Sequence, residues 1–196
     1  MKILLEEYDP AWAVEFARVR DHLFLILKDV SIRTIEHVGS TSVPGLIAKP
    51  VLDIDIIVSP QDLDAARAAL VSAGYVDIGE YGVPGRWAFR QPGFVLNAKD
   101  GSQTMRDDTK ETEMRRNVYV VLDGCVSLKN HLDLKRMLLE DAELRDEYGE
   151  VKKAIVARGV DSTLEYCKRK TEVLIKILKR AGWKEYELEE VRKANE

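Results

Sequence analysis

Two aspartates separated by one residue lie within an otherwise apolar segment, VLDIDIIV at residues 51–58. Because strand residues two apart point to the same face, Asp53 and Asp55 would project together, with their backbone positions roughly 7 Å apart. An ionised carboxylate in apolar surroundings costs several kcal/mol unless something compensates it. The pair therefore predicts either the solvated face of an edge strand or a site that holds a cation.

Carboxylate oxygens favour a hard divalent ion, and we expect Mg²⁺ or Mn²⁺. Magnesium usually binds through one or two carboxylates together with substrate phosphates. In two-metal chemistry the ions stabilise the attacking and leaving oxygens of a phosphoryl transfer. Asp53 and Asp55 are thus predicted to be both metal ligands and catalytic residues.

A Gly-Ser-Thr-Ser turn precedes the acidic strand, with Ser40 thirteen positions before Asp53. Glycine allows the backbone to approach a ligand closely, and backbone amides and hydroxyls at such a turn can bind an anion. Simple helix capping by Ser and Thr is the alternative. Gly39, Ser40 and Thr41 are predicted to bind phosphate, which would complete a metal–triphosphate site.

Three basic residues are candidates for offsetting phosphate charge. Lys49 precedes the acidic strand, and Arg86 follows a Pro-Gly pair and has the planar fork that suits phosphate. Lys170 ends a Lys-Arg-Lys run whose side chains splay around a helix, so only one or two can face a cleft. Solvent exposure is the alternative for all three.

The chain contains three histidines. His37 directly precedes the turn, where it could accept a proton, orient Ser40 or serve as a hydrogen-bonded structural residue. His22 and His131 have no evident partner nearby in the sequence, so a structural role is expected for both.

The surrounding pattern predicts the elements that position these residues. Not every predicted strand is followed by a helix, which argues against a doubly wound parallel sheet and favours an α+β fold with a mixed sheet. Helices are predicted at 10–28 and 61–73; strands at 32–38, 51–58, 75–78, 86–90, 94–98 and 117–122; a polar loop at 99–116; and helical structure at 128–181, broken near Gly149 and at 159–161.

The length of 196 residues suits one domain with an appended segment. We expect a core at 1–127, a helical segment packed on it at 128–182, and a polar tail at 183–196 that is either a fraying helix or disordered. The net charge of −4 does not indicate nucleic acid as a partner. No signal peptide and no membrane span are recognised, and the two cysteines lack metal-like spacing, so a cytoplasmic location with reduced thiols is expected.

The segment IEHVGSTSVPGLIAKPVLDIDIIV resembles the polymerase-beta-like nucleotidyltransferase superfamily and, more narrowly, looks like the signature of the GrpB-like family. YDPAW near the start and GYVDIGEYGVPGRWAFR resemble other parts of that family. So do the tyrosines and lysines of the C-terminal helices, Tyr148, Lys152, Tyr166 and Lys170. The resemblance implies a nucleotidyltransferase-like fold that binds a nucleoside triphosphate, or another phosphorylated small molecule, with Mg²⁺.

The activity that the resemblance implies is transfer of a nucleoside monophosphate to an acceptor that the sequence does not identify. Asn117 and Tyr119 stand where many relatives carry histidines, and Lys135 and Arg136 stand where many carry an Arg-Asp pair. Superfamily enzymes also use a third carboxylate on a neighbouring strand, and NVYVVL at 117–122 contains none.

Other acids lie outside that strand: Asp123 follows it, and Asp100, Asp107 and Asp108 fall in the polar loop. The missing third acid leaves open a second function, a non-catalytic module that binds a nucleotide or phosphometabolite. A third possibility is an interaction protein with a relict pocket.

Overall fold

The computed structural model describes residues 3–80, 82–96, 103–105, 113–160 and 162–194. The described elements, in chain order, are α1 (Ala11–Ile26), β1 (Ile32–Val38), a 3₁₀ turn (Ser40–Ser42), β2 (Val51–Val58), α2 (Leu63–Ser72), β3 (Val76–Asp77), β4 (Arg86–Arg90), β5 (Phe94–Leu96), β6 (Gln103–Met105), β7 (Arg115–Leu122), α3 (Val126–Glu140), α4 (Ala142–Ala157), α5 (Thr163–Arg180) and α6 (Glu185–Ala194).

A five-stranded sheet forms the centre of the molecule, in the order β1-β2-β7-β4-β3. The β2–β7 pair is parallel and its neighbours are antiparallel, while β5 and β6 form a separate hairpin. The sheet is therefore mixed, and the predicted α+β class is confirmed. Its two central strands are β2 and β7, so Asp53 and Asp55 lie on an interior strand rather than on an edge.

The residues that alternate with the two aspartates form the main hydrophobic core. Leu52, Ile54 and Ile56 are completely buried together with apolar side chains of α1, α2 and β7. Because successive side chains of a strand point to opposite faces, this packing turns Asp53 and Asp55 to the other face of the sheet. The apolar residues of β2 thus fix the direction in which its carboxylates point.

The C-terminal helices cover the face that carries the aspartates. Apolar side chains of α3, α4 and α5 pack with Val43 and Leu46 of the turn region. The segment expected to be a polar tail forms α6, where Leu188 and Val191 are buried with Trp183 against apolar residues of α3 and α5. The Ser40–Ser42 turn, strand β2 and helices α3, α4 and α5 therefore surround one region of the molecule.

Two expectations about boundaries were wrong. The helical block breaks at Asp141, whose carboxylate caps α4 by accepting from Leu144 N at 2.9 Å, whereas Gly149 lies inside α4. A Cβ at Gly149 would lie 3.5 Å from Ile47 Cγ2, so this glycine permits close packing rather than a break. The predicted loop at 99–116 contains β6 and the first residues of β7, because Gln103–Met105 pairs with β5.

Candidate functional site

The parallel pairing of β2 with β7 sets the acidic residues beside two polar ones. Asp53 is in register with Asn117, and Asp55 is in register with Tyr119. Asn117 Nδ2 donates to Asp53 Oδ1 at 2.8 Å, and Asn117 Oδ1 accepts from Arg90 Nη1 at 3.2 Å. Burial raises the pKa of Asp53, while the hydrogen bond from Asn117 acts in the opposite direction. Asn117 therefore holds one oxygen of this carboxylate in place.

The turn that follows β1 lies directly against Asp53. Gly39 has φ +69°, and a Cβ on it would lie 3.1 Å from Asp53 Cγ and closer still to Oδ2. Only glycine combines this conformation with so close an approach. Gly39 is exposed and Ser40 half-buried, so the backbone around them is open to a ligand beside the carboxylate. The predicted proximity of turn and acid is thus present, and phosphate binding there stays a prediction.

Thr41 is only 1% exposed, and its hydroxyl already has partners inside the protein. The Thr41 hydroxyl donates to Val51 O at 3.2 Å and lies 3.0 Å from His37 Nε2. The His37 ring stacks on Phe16 with centroids 4.7 Å apart. These contacts give His37 the structural role considered for it, and they leave only the backbone of Thr41 for the phosphate binding predicted at this residue.

Asp55 is completely buried and pairs with a histidine from α3. His131 Nδ1 lies 2.8 Å from Asp55 Oδ2, and its ring centroid is 6.0 Å from that of Tyr119. Asp55 Oδ1 is buried and has no hydrogen-bond partner among the described residues. An unsatisfied buried carboxylate oxygen is unfavourable, and a cation would satisfy it.

The donor set fits a magnesium-type ion that the ligand helps to hold. Within the described ranges, no group of three or more His, Cys, Asp or Glu side chains could by itself hold a metal. Asp53 and Asp55 would supply two carboxylates, which is the usual protein contribution when substrate phosphates complete the coordination. The described residues are therefore compatible with Mg²⁺ or Mn²⁺ and contain no closed metal cage.

No third acid completes the site from β7. Asn117 and Tyr119 occupy the register positions beside the aspartates, and Asp123 forms an ion pair with Arg33 at 2.6 Å beyond the strand. On the opposite side, Glu36 of β1 is in register with Asp55, but its carboxylate accepts from Thr34 Oγ1 at 3.2 Å. Asp100, Asp107 and Asp108 lie outside the described residues.

Three lysines gather around two tyrosines next to the start of β2. The ammonium groups of Lys49 and Lys170 lie 5.5 Å and 4.6 Å from the centroid of the Tyr166 ring. Lys152 Nζ lies 4.6 Å from the centre of the Tyr148 ring and donates to Ile47 O. We call Lys49, Lys152 and Lys170 the lysine cluster. It brings together residues from the loop, α4 and α5 that are far apart in sequence.

The lysine cluster carries an excess of positive charge. Among the described residues, none of its members forms an ion pair, and Asp53 is near enough for its charge to act on Lys49 and Lys170. Burial and then the charge of Lys170 lower the pKa of Lys152 to about 7, and the same two causes lower the pKa of Lys49. A multiply charged anion would relieve this repulsion.

Arg86 lies toward the other end of the same face. It is in register with Val121, two residues beyond Tyr119, and its guanidinium stacks over the Tyr119 ring at 4.6 Å. Strand geometry therefore separates Arg86 from Asn117 and the lysine end by roughly 13 Å along β7. The structure thus brings Lys49 and Lys170 together near Asp53 and sets the Arg86 guanidinium against Tyr119, the register partner of Asp55. Phosphate binding by Arg86 stays a prediction.

The sequence did not indicate that His131 contacts Asp55 or that Lys152 is buried. His131 is 76 positions from Asp55, and nothing local to either residue indicates the contact. Lys152 was noted only because it matches a family position, and its 1% exposure reflects the packing of α4 against Ile47. A polar residue on the inner face of an amphipathic helix is the one signal that could have suggested it.

The chain matches one protein family along most of its length. The family model described as GrpB protein matches residues 2–180. A UPF0157 protein of Streptomyces coelicolor is 31% identical over 186 residues, covering 93% of this chain and 86% of the relative. A UPF0157 protein of Halalkalibacterium halodurans is 29% identical over 180 residues, covering 92% and 83%.

A solved structure shares the fold. The crystal structure of conserved protein GrpB from Enterococcus faecalis superimposes with a TM-score of 0.70 at 27% identity, covering 92% of this chain and 100% of that one. Cid1 in complex with its short product ApU gives a TM-score of 0.45 at 18% identity, which is too low to support an inference. No described helix combines the length and apolar character that a membrane crossing requires.

Proposed function

This chain belongs to the GrpB protein family, and we propose that it is a metal-dependent nucleotidyltransferase that transfers a nucleoside monophosphate from a nucleoside triphosphate to an acceptor. The observation that carries the proposal is the juxtaposition of a paired-carboxylate strand, an open Gly-Ser backbone and a lysine cluster that has no counter-ion among the described residues. The paired carboxylates would hold the metal, and the Gly-Ser backbone and the lysine cluster would bind the phosphates.

Charge balance supports a polyanionic ligand. With Lys152 protonated in the complex, three lysines and one divalent ion, set against Asp53 and Asp55, leave about three positive charges, which a triphosphate offsets better than a monophosphate does. These lysines are partly or wholly removed from water, so their interaction with a phosphate would be stronger than at a solvated surface. Buried cations without partners are unfavourable in the free protein, so ligand binding gains from pairing them.

Each residue of the site would have a separate role. Asn117 orients Asp53, and Gly39 allows the phosphates to approach that carboxylate. Asp53 and Asp55 would hold the divalent ion, which when bound supplies Lewis-acid stabilisation of the phosphate oxygens. The acceptor oxygen would bond to the α-phosphorus as its hydroxyl proton passes to solvent, while the bond between the α-phosphorus and the oxygen bridging to the β-phosphorus breaks. Lys49 and Lys170 would offset the charge of the leaving pyrophosphate.

A second candidate is a non-catalytic module that binds the same class of ligand. Two observations favour it: β7 supplies Asn117 and Tyr119 rather than an acid, and Asp55 is buried beneath His131. Such a module would bind a nucleotide with metal and release it unchanged. The proposed enzyme and this module share a ligand and differ only in turnover.

A transfer assay separates the two. The full chain is incubated with α-labelled nucleoside triphosphates, Mg²⁺ or Mn²⁺, and extracts of small molecules or RNA. Label that moves to an acceptor with wild type and is absent with Asp53→Asn supports the enzyme. The matched control is Asp123→Asn, which makes the same chemical change at an exposed acid.

Thermal unfolding supplies the second measurement. A ligand that binds only the folded state raises the melting temperature, and the rise grows with the logarithm of the ligand concentration above the dissociation constant. A rise with metal plus nucleotide but no transfer identifies the binding module. No rise with any nucleotide, with or without metal, rules out both.

A further inference from the structure

A cavity of about 330 Å³ lies apart from the lysine cluster, between the turn before β4, the start of α3 and the face of α6. Its walls are mainly apolar, and ligand sites of this size commonly hold small organic molecules. The residues that contribute apolar surface are Val83, Pro84, Val126, Val191 and Ala194.

Arg86 and Asn130 give this cavity its polar groups. Within the described part of the chain Arg86 forms no ion pair; its guanidinium contacts the Tyr119 ring, and its buried Nε has no hydrogen-bond partner. Asn130 Oδ1 is likewise buried and unsatisfied. Both residues line the cavity, so its wall contains a cation that has no counter-ion among the described residues and an amide that can donate as well as accept hydrogen bonds.

We propose that this cavity binds a small organic carboxylate with an apolar body. An arginine presents Nε and one terminal nitrogen as a fork that pairs with both oxygens of a carboxylate. Arg86 lines the cavity and would supply that fork, and Asn130, which also lines it, would donate to the same oxygens through its Nδ2. The apolar walls then enclose the rest of the molecule.

Glu190 selects against more highly charged ligands. This exposed residue of α6 also lines the cavity, and it forms no ion pair with any described residue. Its negative charge disfavours any anion, but it disfavours a polyphosphate more strongly than a single carboxylate paired with Arg86. The cavity is therefore a second site with a different ligand class from that of the lysine cluster, and it does not depend on the nucleotidyltransferase proposal.

Binding is tested on the full chain with hexanoate and benzoate as probes, and with hexanamide and benzamide as uncharged controls of the same shape. Amide chemical shifts in ¹⁵N-labelled protein report both affinity and location. We expect the carboxylates to shift Ser127, Asn130 and Val191, and the amides to bind at least tenfold more weakly. Arg86→Gln should lower carboxylate affinity at least tenfold.

A variant that fills the cavity provides a second test of the proposal. Ala194→Trp, at an exposed position on the cavity wall, should abolish probe binding without changing the response to nucleotide and metal. Equal binding of amides and carboxylates, unchanged affinity in Arg86→Gln or Ala194→Trp, or shifts confined to other regions would each overturn the proposal.

Discussion

Asn117 donates to Asp53 across the parallel β2–β7 pair at 2.8 Å, linking residues 64 positions apart. The bond fixes one carboxylate oxygen, while Gly39 approaches the other. Asp53 is therefore held on two sides by groups that carry no charge. Its orientation does not depend on a cation in the protein, which leaves it free to bind one from outside.

Gly39→Ala should destabilise the fold by more than its unusual φ alone explains. The strained conformation costs about 1–3 kcal/mol for a non-glycine residue, and the added Cβ would also collide with Asp53. Urea unfolding measures the change in the free energy of unfolding. Gly124→Ala is the matched control, because Gly124 has φ +78° with nothing within 4 Å of an added Cβ. Equal losses in the two variants would mean that the close approach to Asp53 is unimportant.

His131→Gln and Asp55→Asn should each lower the free energy of unfolding by about 1–3 kcal/mol, since each leaves a buried polar partner unsatisfied. Their effects should be non-additive, because the two side chains contact each other at 2.8 Å. A double-mutant cycle measures this coupling, with His22→Gln as the exposed control. His131→Gln should also tighten Mn²⁺ binding, measured by EPR, because it frees Asp55 Oδ2. Strictly additive losses would show that the pair is not coupled.

Stability should fall as the pH drops from about 6.5 to about 4. Burial, and then the charge of Lys135, lower the pKa of His37 to about 4 in the folded protein, against 6.5 for an ordinary histidine. In that window the unfolded chain binds more protons, so the free energy of unfolding decreases by up to ~1.4 kcal/mol per pH unit on acidification. His37→Gln should flatten the slope measured by urea unfolding at several pH values, and His22→Gln should not.

Binding of inorganic pyrophosphate should take up a proton above pH 7. Lys152 has a pKa of about 7 because burial, and then Lys170, disfavour its charged form, and a nearby anion reverses that preference. Affinity should therefore decline as the pH rises from 7 to 9. Calorimetry in two buffers of different ionisation enthalpy counts the protons. Lys152→Met should remove the uptake, whereas Lys168→Met, at an exposed position of α5, should keep it.

Much of the scaffold follows from local sequence, and the site does so only in part. The bounds of β1 and β2 were predicted correctly because apolar runs end at clear breaks. Gly39 and Asp53 were expected in one metal–triphosphate site, and the antiparallel pairing of β1 with β2, which was not predicted, brings them together. The His131–Asp55 pair was not foreseen, because it depends on how α3 rotates against the sheet. That rotation is set by tertiary packing, which no local pattern encodes.

The parallel pairing of the two central strands has a kinetic consequence. More than fifty residues separate β2 from β7. The two strands can therefore pair only when a long loop closes, and such non-local contacts slow folding. The antiparallel β1–β2 hairpin can form early, so Gly39 and Asp53 meet before Asn117 arrives. We therefore expect a newly synthesised chain to pair β1 with β2 first and to form the Asp53–Asn117 hydrogen bond only late in folding.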